Sequence, residues 1–241
     1  MIKLTKGGFN RLADIEGFIV VYPDGVERHW NDGRNLTRYY AHRENIDDVG
    51  FISALIDALN EKYNVDMEKI YVVGMSNGAL MAFKLALELS EKISAIAAVA
   101  GSMSVNILNM TKPTSEVSVL MINGMDDPLV PWKGGNIHFA GFDLGRILSI
   151  PDTVEYWVLH NNCSVKLDRF YLPDIDKTDG SRVWVEQYVN PESGAEVILY
   201  GIEGGGHTWP GGYRYLPEKV IGKTNMDINA CDVIWNFFKR H

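Results

Sequence analysis

Short apolar runs and longer amphipathic segments alternate along most of this chain. Apolar runs rich in β-branched residues predict strands buried on both faces, and they occupy 17–23, 70–73, 95–100 and 117–123. Apolar positions at helical spacing predict helices over 9–16, 47–63 and 227–240, and from residues 79 and 149 onward. Strand-like stretches at 169–175, 181–189 and 195–202 predict a meander or hairpin. Because helices separate the earlier strands, we predict an α/β fold with a mostly parallel sheet flanked by helices.

The most informative junction is Gly74-Met75-Ser76-Asn77-Gly78, which joins the strand at 70–73 to the following helix. In this context a G-x-S-x-G turn holds the serine hydroxyl above the sheet, and its glycines are expected to avoid side-chain clashes. The N–H of Asn77, at the helix start, points to where negative charge develops on an attacked carbonyl. We therefore predict Ser76 as a nucleophile and Asn77 as an oxyanion donor. A bare G-x-S-x-G also arises by chance, so an acid and a histidine must follow.

An acid and a histidine do follow Ser76 in the order that sheet hydrolases use. The strand at 117–123 ends in a turn that carries Asp126 and Asp127, and either carboxylate could orient a base. His207 lies in a glycine-framed loop after the strand at 195–202, where glycines allow close backbone approach. The other histidines lack this context, and His29 is the main alternative because its loop could face the site. The residues thus predict Ser76, His207 and one of the two aspartates.

The net charge, the lengths of the apolar runs and the cysteine spacing restrict the partners and the cellular compartment that we expect for this protein. The 241 residues carry a net charge of −8 without a basic cluster, which argues against a nucleic-acid or anionic-membrane surface. No run is long enough to span a bilayer, and the start lacks a signal-peptide segment, so the chain as written is expected to be cytoplasmic, or secreted if a leader was lost. Cys163 and Cys231 lack metal-ligand spacing and are expected to be ordinary thiols. We predict a single domain over 1–241, with no metal or organic cofactor.

Five motifs occur in the order in which one enzyme family carries them. They are Tyr22-Pro23-Asp24-Gly25, His29-Trp30-Asn31-Asp32-Gly33-Arg34, Asp47-Asp48-Val49-Gly50-Phe51, Gly74-Met75-Ser76-Asn77-Gly78 and Gly204-Gly205-Gly206-His207-Thr208-Trp209-Pro210-Gly211. From about residue 8 onward the chain resembles the polyhydroxybutyrate depolymerase and feruloyl esterase family of α/β-hydrolases. The family's acid segment resembles H-G-x-x-D-x-x-V-P, and laid on 123–131 it selects Asp127 over Asp126. Asn123 stands where the family has histidine.

The resemblance also implies that the front of the fold is shortened. Family members normally begin with extra strands and a loop whose backbone N–H completes the oxyanion hole. The absence of the strand beside the nucleophile strand would leave a long apolar edge, which proteins pair or cover. We expect either that 17–22 shifts to pair with 70–73, or that a second subunit covers the edge in a homodimer.

Together these features predict a serine carboxylester hydrolase that works through an acyl-enzyme. The small-molecule substrates implied are short-chain acyl or phenolic, feruloyl-type esters. Four aromatic residues are candidates for the walls of a substrate pocket, although each could equally be core: Trp209, Trp132, Trp30 and Tyr22. The alternatives are a polyhydroxyalkanoate depolymerase, or an impaired α/β-hydrolase that serves as a binding module. A peptidase would use the same triad, but its usual extra domain has no room here.

Overall fold

The computed structural model describes residues 1–110 and 112–241, and it contains nine strands and seven α-helices in those ranges. The strands are β1 (Tyr71–Met75), β2 (Ala95–Val99), β3 (Ser118–Gly124), β4 (Gly135–Phe139), β5 (Phe142–Ile147), β6 (Val165–Lys166), β7 (Phe170–Tyr171), β8 (Arg182–Val189) and β9 (Glu196–Glu203). The helices are α1 (Gly8–Glu16), α2 (Tyr40–Arg43), α3 (Asp48–Tyr63), α4 (Asn77–Glu88), α5 (Ile150–His160), α6 (Glu218–Ile221) and α7 (Ala230–Phe238). No described helix combines the length and apolar character needed to cross a membrane.

The main sheet has the strand order β1-β2-β3-β9-β8-β6, with β7 also paired to β8. Strands β1, β2, β3 and β9 run parallel to their neighbours in this series, whereas β8 is antiparallel to β9. Strands β4 and β5 form a separate antiparallel pair. Because the four parallel strands end at the same edge of the sheet, the loops that follow them share one rim. The predicted α/β fold class, with helices flanking a mostly parallel sheet, is confirmed.

Helices cover both faces of the sheet because alternate strand residues point to opposite sides. On one face Ile96 and Ala98 pack with α3, α4 and α5; on the other, Ala97 and Val99 pack with α1 and α7. Helix α4 is buried along its length from Ala79 to Leu87. Helix α4, which follows the turn that carries Ser76, is therefore closely packed along its length. This packing fixes the first turn of the helix relative to the sheet.

The strand predicted at 17–23 is wrong. These residues lie outside any strand or helix, and Ile19 and Val21 are 49% and 41% exposed. Phe18 instead stacks on Trp235 of α7 with ring centroids 4.0 Å apart. A strand needs a neighbour for its backbone N–H and C=O groups, and no described segment pairs with this one. The segment therefore packs on α7 through Phe18 without joining the sheet.

Strand β1 packs against the core on both faces, with Val72 on one side and Tyr71 and Val73 on the other, but its side chains are buried only in part. It lies at an edge of the main sheet. Among the described residues it pairs only with β2, and four of its five residues are half-buried. The expected pairing of 17–22 with this strand is not formed. The second subunit expected to cover this edge stays a prediction.

Two further boundaries differ from the sequence pattern for identifiable reasons. The strand expected over 169–175 is reduced to β7, because the Asp227 carboxylate accepts the N–H groups of Ile175 and Asp176 at 2.7 and 2.9 Å and holds them out of the sheet. Since Asp227 is used there, α7 begins later than predicted, and the Asn229 side chain caps it through the Cys231 N–H at 3.0 Å. Helix α5 starts as predicted, with Ser149 accepting the Asp152 N–H at 3.0 Å.

Candidate active site

Ser76 occupies the sharp turn between β1 and α4. Its backbone has φ 55° and ψ −120°, a region that residues other than glycine rarely adopt and that is typical of strained functional turns. The turn is held on both sides, because the Ser76 N–H donates to Val99 O at 3.0 Å and Ser76 O accepts from Ala79 and Leu80. The N–H of Asn77 opens α4 and has no carbonyl four residues earlier within the helix, so it can donate to an oxyanion.

The two glycines of the pentapeptide differ in whether the surrounding backbone leaves room for a side chain. A Cβ at position 74 would collide with the backbone carbonyl of Gly78, whereas a Cβ at position 78 would meet nothing within 4 Å. Backbone cannot rotate away as a flexible side chain can. The expectation that both glycines avoid clashes of their own side chains is therefore wrong for Gly78. Gly74 alone is needed to let the helix start pass close over the strand end.

Gly74→Ala and Gly78→Ala make a matched pair that tests this asymmetry. We expect Gly74→Ala to lower the free energy of unfolding by about 1–3 kcal/mol or more, because the added methyl overpacks against backbone. We expect Gly78→Ala to leave it unchanged or raise it by up to about 1 kcal/mol, since alanine is the better helix former. Urea unfolding followed by circular dichroism measures both. Equal losses in the two variants would contradict the asymmetry.

Asp127 and His207 form a buried, directed pair. Asp127 Oδ2 lies 2.8 Å from His207 Nδ1, and the two side chains are 1% and 3% exposed. The other carboxylate oxygen, Oδ1, accepts the N–H groups of Leu129 and Val130 at 2.7 and 2.8 Å. Because a carboxylate only accepts hydrogen bonds, Nδ1 carries the proton and Nε2 keeps its lone pair. This is the tautomer that a general base requires.

Glycines bring the acid loop and the histidine loop together, as the sequence predicts. The N–H of Asp126 donates to Gly205 O at 3.0 Å, and the N–H of Met125 donates to Ile202 O at 2.9 Å. A side chain at Gly124 would collide with the Gly205 carbonyl. Asp126 itself is exposed. Of the two candidate acids, the structure therefore places Asp127 against the imidazole and turns Asp126 to solvent.

Ser76, Asp127 and His207 follow the ends of β1, β3 and β9, which are parallel strands with a common rim. Within residues 1–110 and 112–241, Ser76 Oγ makes no hydrogen bond to His207. Catalytic hydrogen bonds are often long before substrate binds and tighten in the complex. The structure thus joins the acid to the base and sets the serine on the same rim, and the role of Ser76 stays a prediction.

The side chain of Asn77 fastens a second loop to the nucleophile turn. Its Oδ1 accepts the Trp30 N–H at 2.8 Å, while Nδ2 donates to Trp30 O at 3.1 Å and to Asp32 Oδ2 at 2.5 Å. The Trp30 N–H is therefore occupied and does not serve as the second oxyanion donor. Sequence reasoning assigned only the backbone of Asn77, since no spacing pattern along the chain predicts a pairing of its side chain with Trp30 and Asp32, which lie 47 and 45 residues away.

Asp32 is the centre of a buried polar group that sequence reasoning also missed. Arg34 Nη2 lies 2.6 Å from Asp32 Oδ2, and both side chains are nearly inaccessible. His42 Nε2 lies 3.5 Å from Asp32 Oδ1, and His29 completes the group. Burial lowers the pKa of His29 to about 4 and also lowers the pKa of His42. Both rings are therefore neutral at pH 7. The histidine that hydrogen-bonds to the Asp127 carboxylate is His207.

The four predicted pocket aromatics do not lie together. Trp209 is 1% exposed and packs edge-on against Phe9 in the core, so its assignment to a pocket wall is wrong. The Tyr22 hydroxyl donates to Asn10 of α1 at 2.6 Å. Trp30 and Trp132 are half-buried and lie in the loops beside Asn77 and Asp127, so these two remain candidates for the substrate pocket.

Comparisons with known proteins agree with this geometry. The family described as phospholipase/carboxylesterase matches residues 23–151, more than half of the chain. A putative esterase NocK from Nocardia uniformis subsp. tsuyamanensis is 31% identical over 95% of this chain and 67% of its own length. Feruloyl esterase B from Piromyces equi is 27% identical over 80% of this chain, which spans 34% of that protein.

A solved structure supports the fold alone. An acetyl xylan esterase from Aspergillus awamori matches 99% of this chain and 85% of its own with a TM-score of 0.57 and 15% identity. The family match contains both Ser76 and Asp127, and the match to the esterase NocK covers nearly the whole sequence. The chain therefore belongs to the phospholipase/carboxylesterase family of α/β-hydrolases and is a carboxylic ester hydrolase.

Proposed function

We propose that this protein hydrolyses short-chain acyl or phenolic, feruloyl-type esters through a covalent acyl-enzyme on Ser76. The observation that carries the proposal is the pairing of His207 Nδ1 with Asp127 Oδ2 at 2.8 Å, in a buried setting on the rim where Ser76 lies. This pairing leaves Nε2 free to take a proton. A hydroxyl on a strained turn at the same rim is the group that needs such a base.

In the acylation half, Ser76 Oγ attacks the ester carbonyl carbon while its proton passes to His207 Nε2. The resulting imidazolium is stabilised by Asp127, whose orientation is held by the N–H groups of Leu129 and Val130. The negative carbonyl oxygen is received by the Asn77 N–H at the start of α4, where the helix dipole adds positive potential. His207 then protonates the leaving alkoxide, and the acyl group stays on Ser76.

In the deacylation half, water replaces the alcohol. His207 Nε2 takes a proton from the water as it attacks the acyl carbon, and the collapsing intermediate returns that proton to Ser76 Oγ. The carboxylic acid leaves, and the enzyme regains its starting state. The rigid core around α4 keeps the Asn77 donor in place for both halves, so each passes through the same oxyanion geometry.

Two features support the choice of acyl group. Trp30 and Trp132 are half-buried beside the residues that would flank the reacting ester, and flat aromatic surfaces suit a planar phenolic acyl group. Curated relatives include proteins named feruloyl esterase from Piromyces equi and acetylxylan esterase from Coprinopsis cinerea. An acetyl group and a feruloyl group are therefore the two acyl classes to compare.

A matched set of substrates tests the proposal. We expect turnover of p-nitrophenyl acetate, p-nitrophenyl butyrate and methyl ferulate, with rates falling for longer aliphatic chains, and much slower turnover of p-nitroacetanilide, the amide that matches the acetate. Trp132→Leu should lower kcat/KM for methyl ferulate more than for p-nitrophenyl acetate, because only the phenolic acyl group uses the aromatic wall. Hydrolysis of polyhydroxybutyrate at a higher rate than all small esters would favour a depolymerase instead.

A further inference from the structure

The side chain of Asn77 brackets the backbone of Trp30 at two points. Its Oδ1 accepts the Trp30 N–H at 2.8 Å, and its Nδ2 donates to Trp30 O at 3.1 Å. Trp30 lies outside any strand or helix, so these two bonds fix its backbone where no ladder does. Because Asn77 directly follows Ser76, the bracket ties the Trp30 backbone to the residue beside the nucleophile.

Asp32 determines which way round the Asn77 amide lies. Asn77 Nδ2 also donates to Asp32 Oδ2 at 2.5 Å. A carboxylate and a backbone carbonyl only accept hydrogen bonds, whereas a backbone N–H only donates, so an amide turned the other way would set donor against donor and acceptor against acceptor. Asp32 is itself held by Arg34, whose Nη2 and backbone N–H donate to it at 2.6 and 3.1 Å. The amide therefore has a single favourable orientation.

The residue that follows Trp30 is fixed in the same manner. The Asn31 N–H donates to the Asp48 carboxylate at 2.6 Å, and Asn31 O accepts from Lys84 Nζ at 2.9 Å. Asn77 and Lys84 lie about two turns apart on α4, so both face this segment from one side of the helix. Side chains of α3 and α4 thus hold the backbone N–H and C=O groups of two successive residues.

The Trp30 ring has packed surroundings as well as a fixed backbone. It is half-buried, packs against the core cluster that includes α4, and lies nearly parallel to Phe51 of α3 with ring centroids 6.5 Å apart. Phe51 is 45% exposed, so the two rings continue from the core to the surface. A closely packed ring on a fixed backbone has few other positions to take.

We infer that the Asn77 side chain, directed by Asp32, positions Trp30 as a fixed wall for the acyl group of the ester. The inference rests on the proposed hydrolysis of phenolic esters, and it gives Asn77 a positioning role besides that of its backbone N–H. A wall that is ordered in advance binds a planar acyl group without a further loss of entropy. An acetyl group is too small to use the wall, so a loosened bracket should lower the selectivity for feruloyl esters.

Asn77→Ala tests the positioning, because it removes the bracket and keeps the backbone N–H of residue 77. That N–H serves both esters, so a change in oxyanion stabilisation cancels in the ratio of kcat/KM for methyl ferulate to kcat/KM for p-nitrophenyl acetate. We expect this ratio to fall by about three- to tenfold, the range for one weakened aromatic contact, mostly through a higher KM for methyl ferulate. Hydrogen–deuterium exchange at the Trp30 N–H should become faster, since its acceptor is lost.

A double-mutant cycle shows whether Asn77 acts through Trp30. If it does, Asn77→Ala should change the ratio little further in a Trp30→Leu background, because the wall that it positions is already gone. Losses that simply add would overturn the inference. Asn77→Ser is too short to bracket Trp30 at both points and keeps a polar group at the helix start, so it gives the same comparison if Asn77→Ala fails to fold.

Asn161 offers a matched control, because its amide brackets the backbone of Val117 in the same way. Its Oδ1 accepts the Val117 N–H at 3.2 Å, and its Nδ2 donates to Val117 O at 2.7 Å. Val117 lies just before β3, at the opposite end of that strand from the rim that carries Asp127. Asn161→Ala should therefore lower the melting temperature and leave the selectivity ratio unchanged.

The failure of this inference differs from a failure of the proposed function. Turnover of both esters with an unchanged ratio in a folded Asn77→Ala variant would overturn the positioning, and so would an equal fall of the ratio in Asn161→Ala. Unchanged exchange at the Trp30 N–H, which is measured without any ester, would overturn it as well. Turnover of neither ester by the wild type would instead contradict the proposed hydrolysis.

Discussion

Ser76→Ala should lower kcat/KM for p-nitrophenyl butyrate by about 10⁴–10⁶, because loss of the nucleophile leaves only substrate binding and oxyanion stabilisation. Alanine suffers the same backbone strain as serine at φ 55°, so the fold should survive the change. Initial rates of p-nitrophenolate release measure the loss. A sulfonyl fluoride should add covalently to the wild type and not to the variant, and intact mass spectrometry detects the difference.

Ser164→Ala is the matched control for this loss. Ser164 is exposed in the connection between α5 and β6, so its hydroxyl should contribute nothing to the rate. Circular dichroism and the melting temperature check that both variants are folded. If the wild type were no faster than Ser76→Ala, the ester cleavage would be background, and a binding module would become the better description.

Asp127→Asn should lower kcat by about 10⁴ without loss of the fold, the magnitude found when this change imposes the wrong histidine tautomer in a related triad. The structure explains why the same should happen here. Oδ1 is held by the N–H groups of Leu129 and Val130, so the asparagine must place its carbonyl there and its NH2 group against His207. Nδ1 then accepts a hydrogen bond, the proton moves to Nε2, and the base cannot take the Ser76 proton.

Asp126→Asn is the control that separates the two adjacent carboxylates. Asp126 is exposed and contributes its backbone N–H, not its side chain, to the contact with Gly205. We expect kcat to change by no more than about twofold, since surface substitutions commonly shift free energies by about 0.5 kcal/mol or less. A larger loss of kcat in Asp126→Asn than in Asp127→Asn would show that Asp126 orients the histidine, and the assignment of Asp127 would then be wrong. Steady-state kinetics of both variants with one ester is sufficient.

Local patterns predicted the elements whose environment is uniform. Strands β2 and β3 are buried on both faces, so their apolar runs translate directly into structure. The helix predicted over 47–63 begins at Asp48, with Asp47 as its cap. The loop glycines near His207 were predicted to allow close approach, and backbone hydrogen bonds to the acid loop make that approach.

Features that depend on distant neighbours were not predicted correctly. The apolar run at 17–23 has strand composition, but no described strand pairs with it, so composition alone could not form a ladder. Trp209 lies two residues from His207, yet its ring turns into the core against Phe9. The group around Asp32 joins residues from three separate segments, and no spacing rule along the chain connects them.

By itself, the sequence determined the parallel core, the position of Ser76 at a strand–helix turn and the order of acid and base, because these follow from short-range periodicity and from turn chemistry. The family resemblance had already selected Asp127 and implied an open edge beside the nucleophile strand. Tertiary structure alone decided that 17–22 does not pair with β1, and that the Asn77 side chain hydrogen-bonds to Trp30 and Asp32. The physical reason is that hydrogen bonds and burial depend on which groups meet in space. Asp126 and Asp127 are adjacent in sequence, and only the fold turns one inward and the other to solvent.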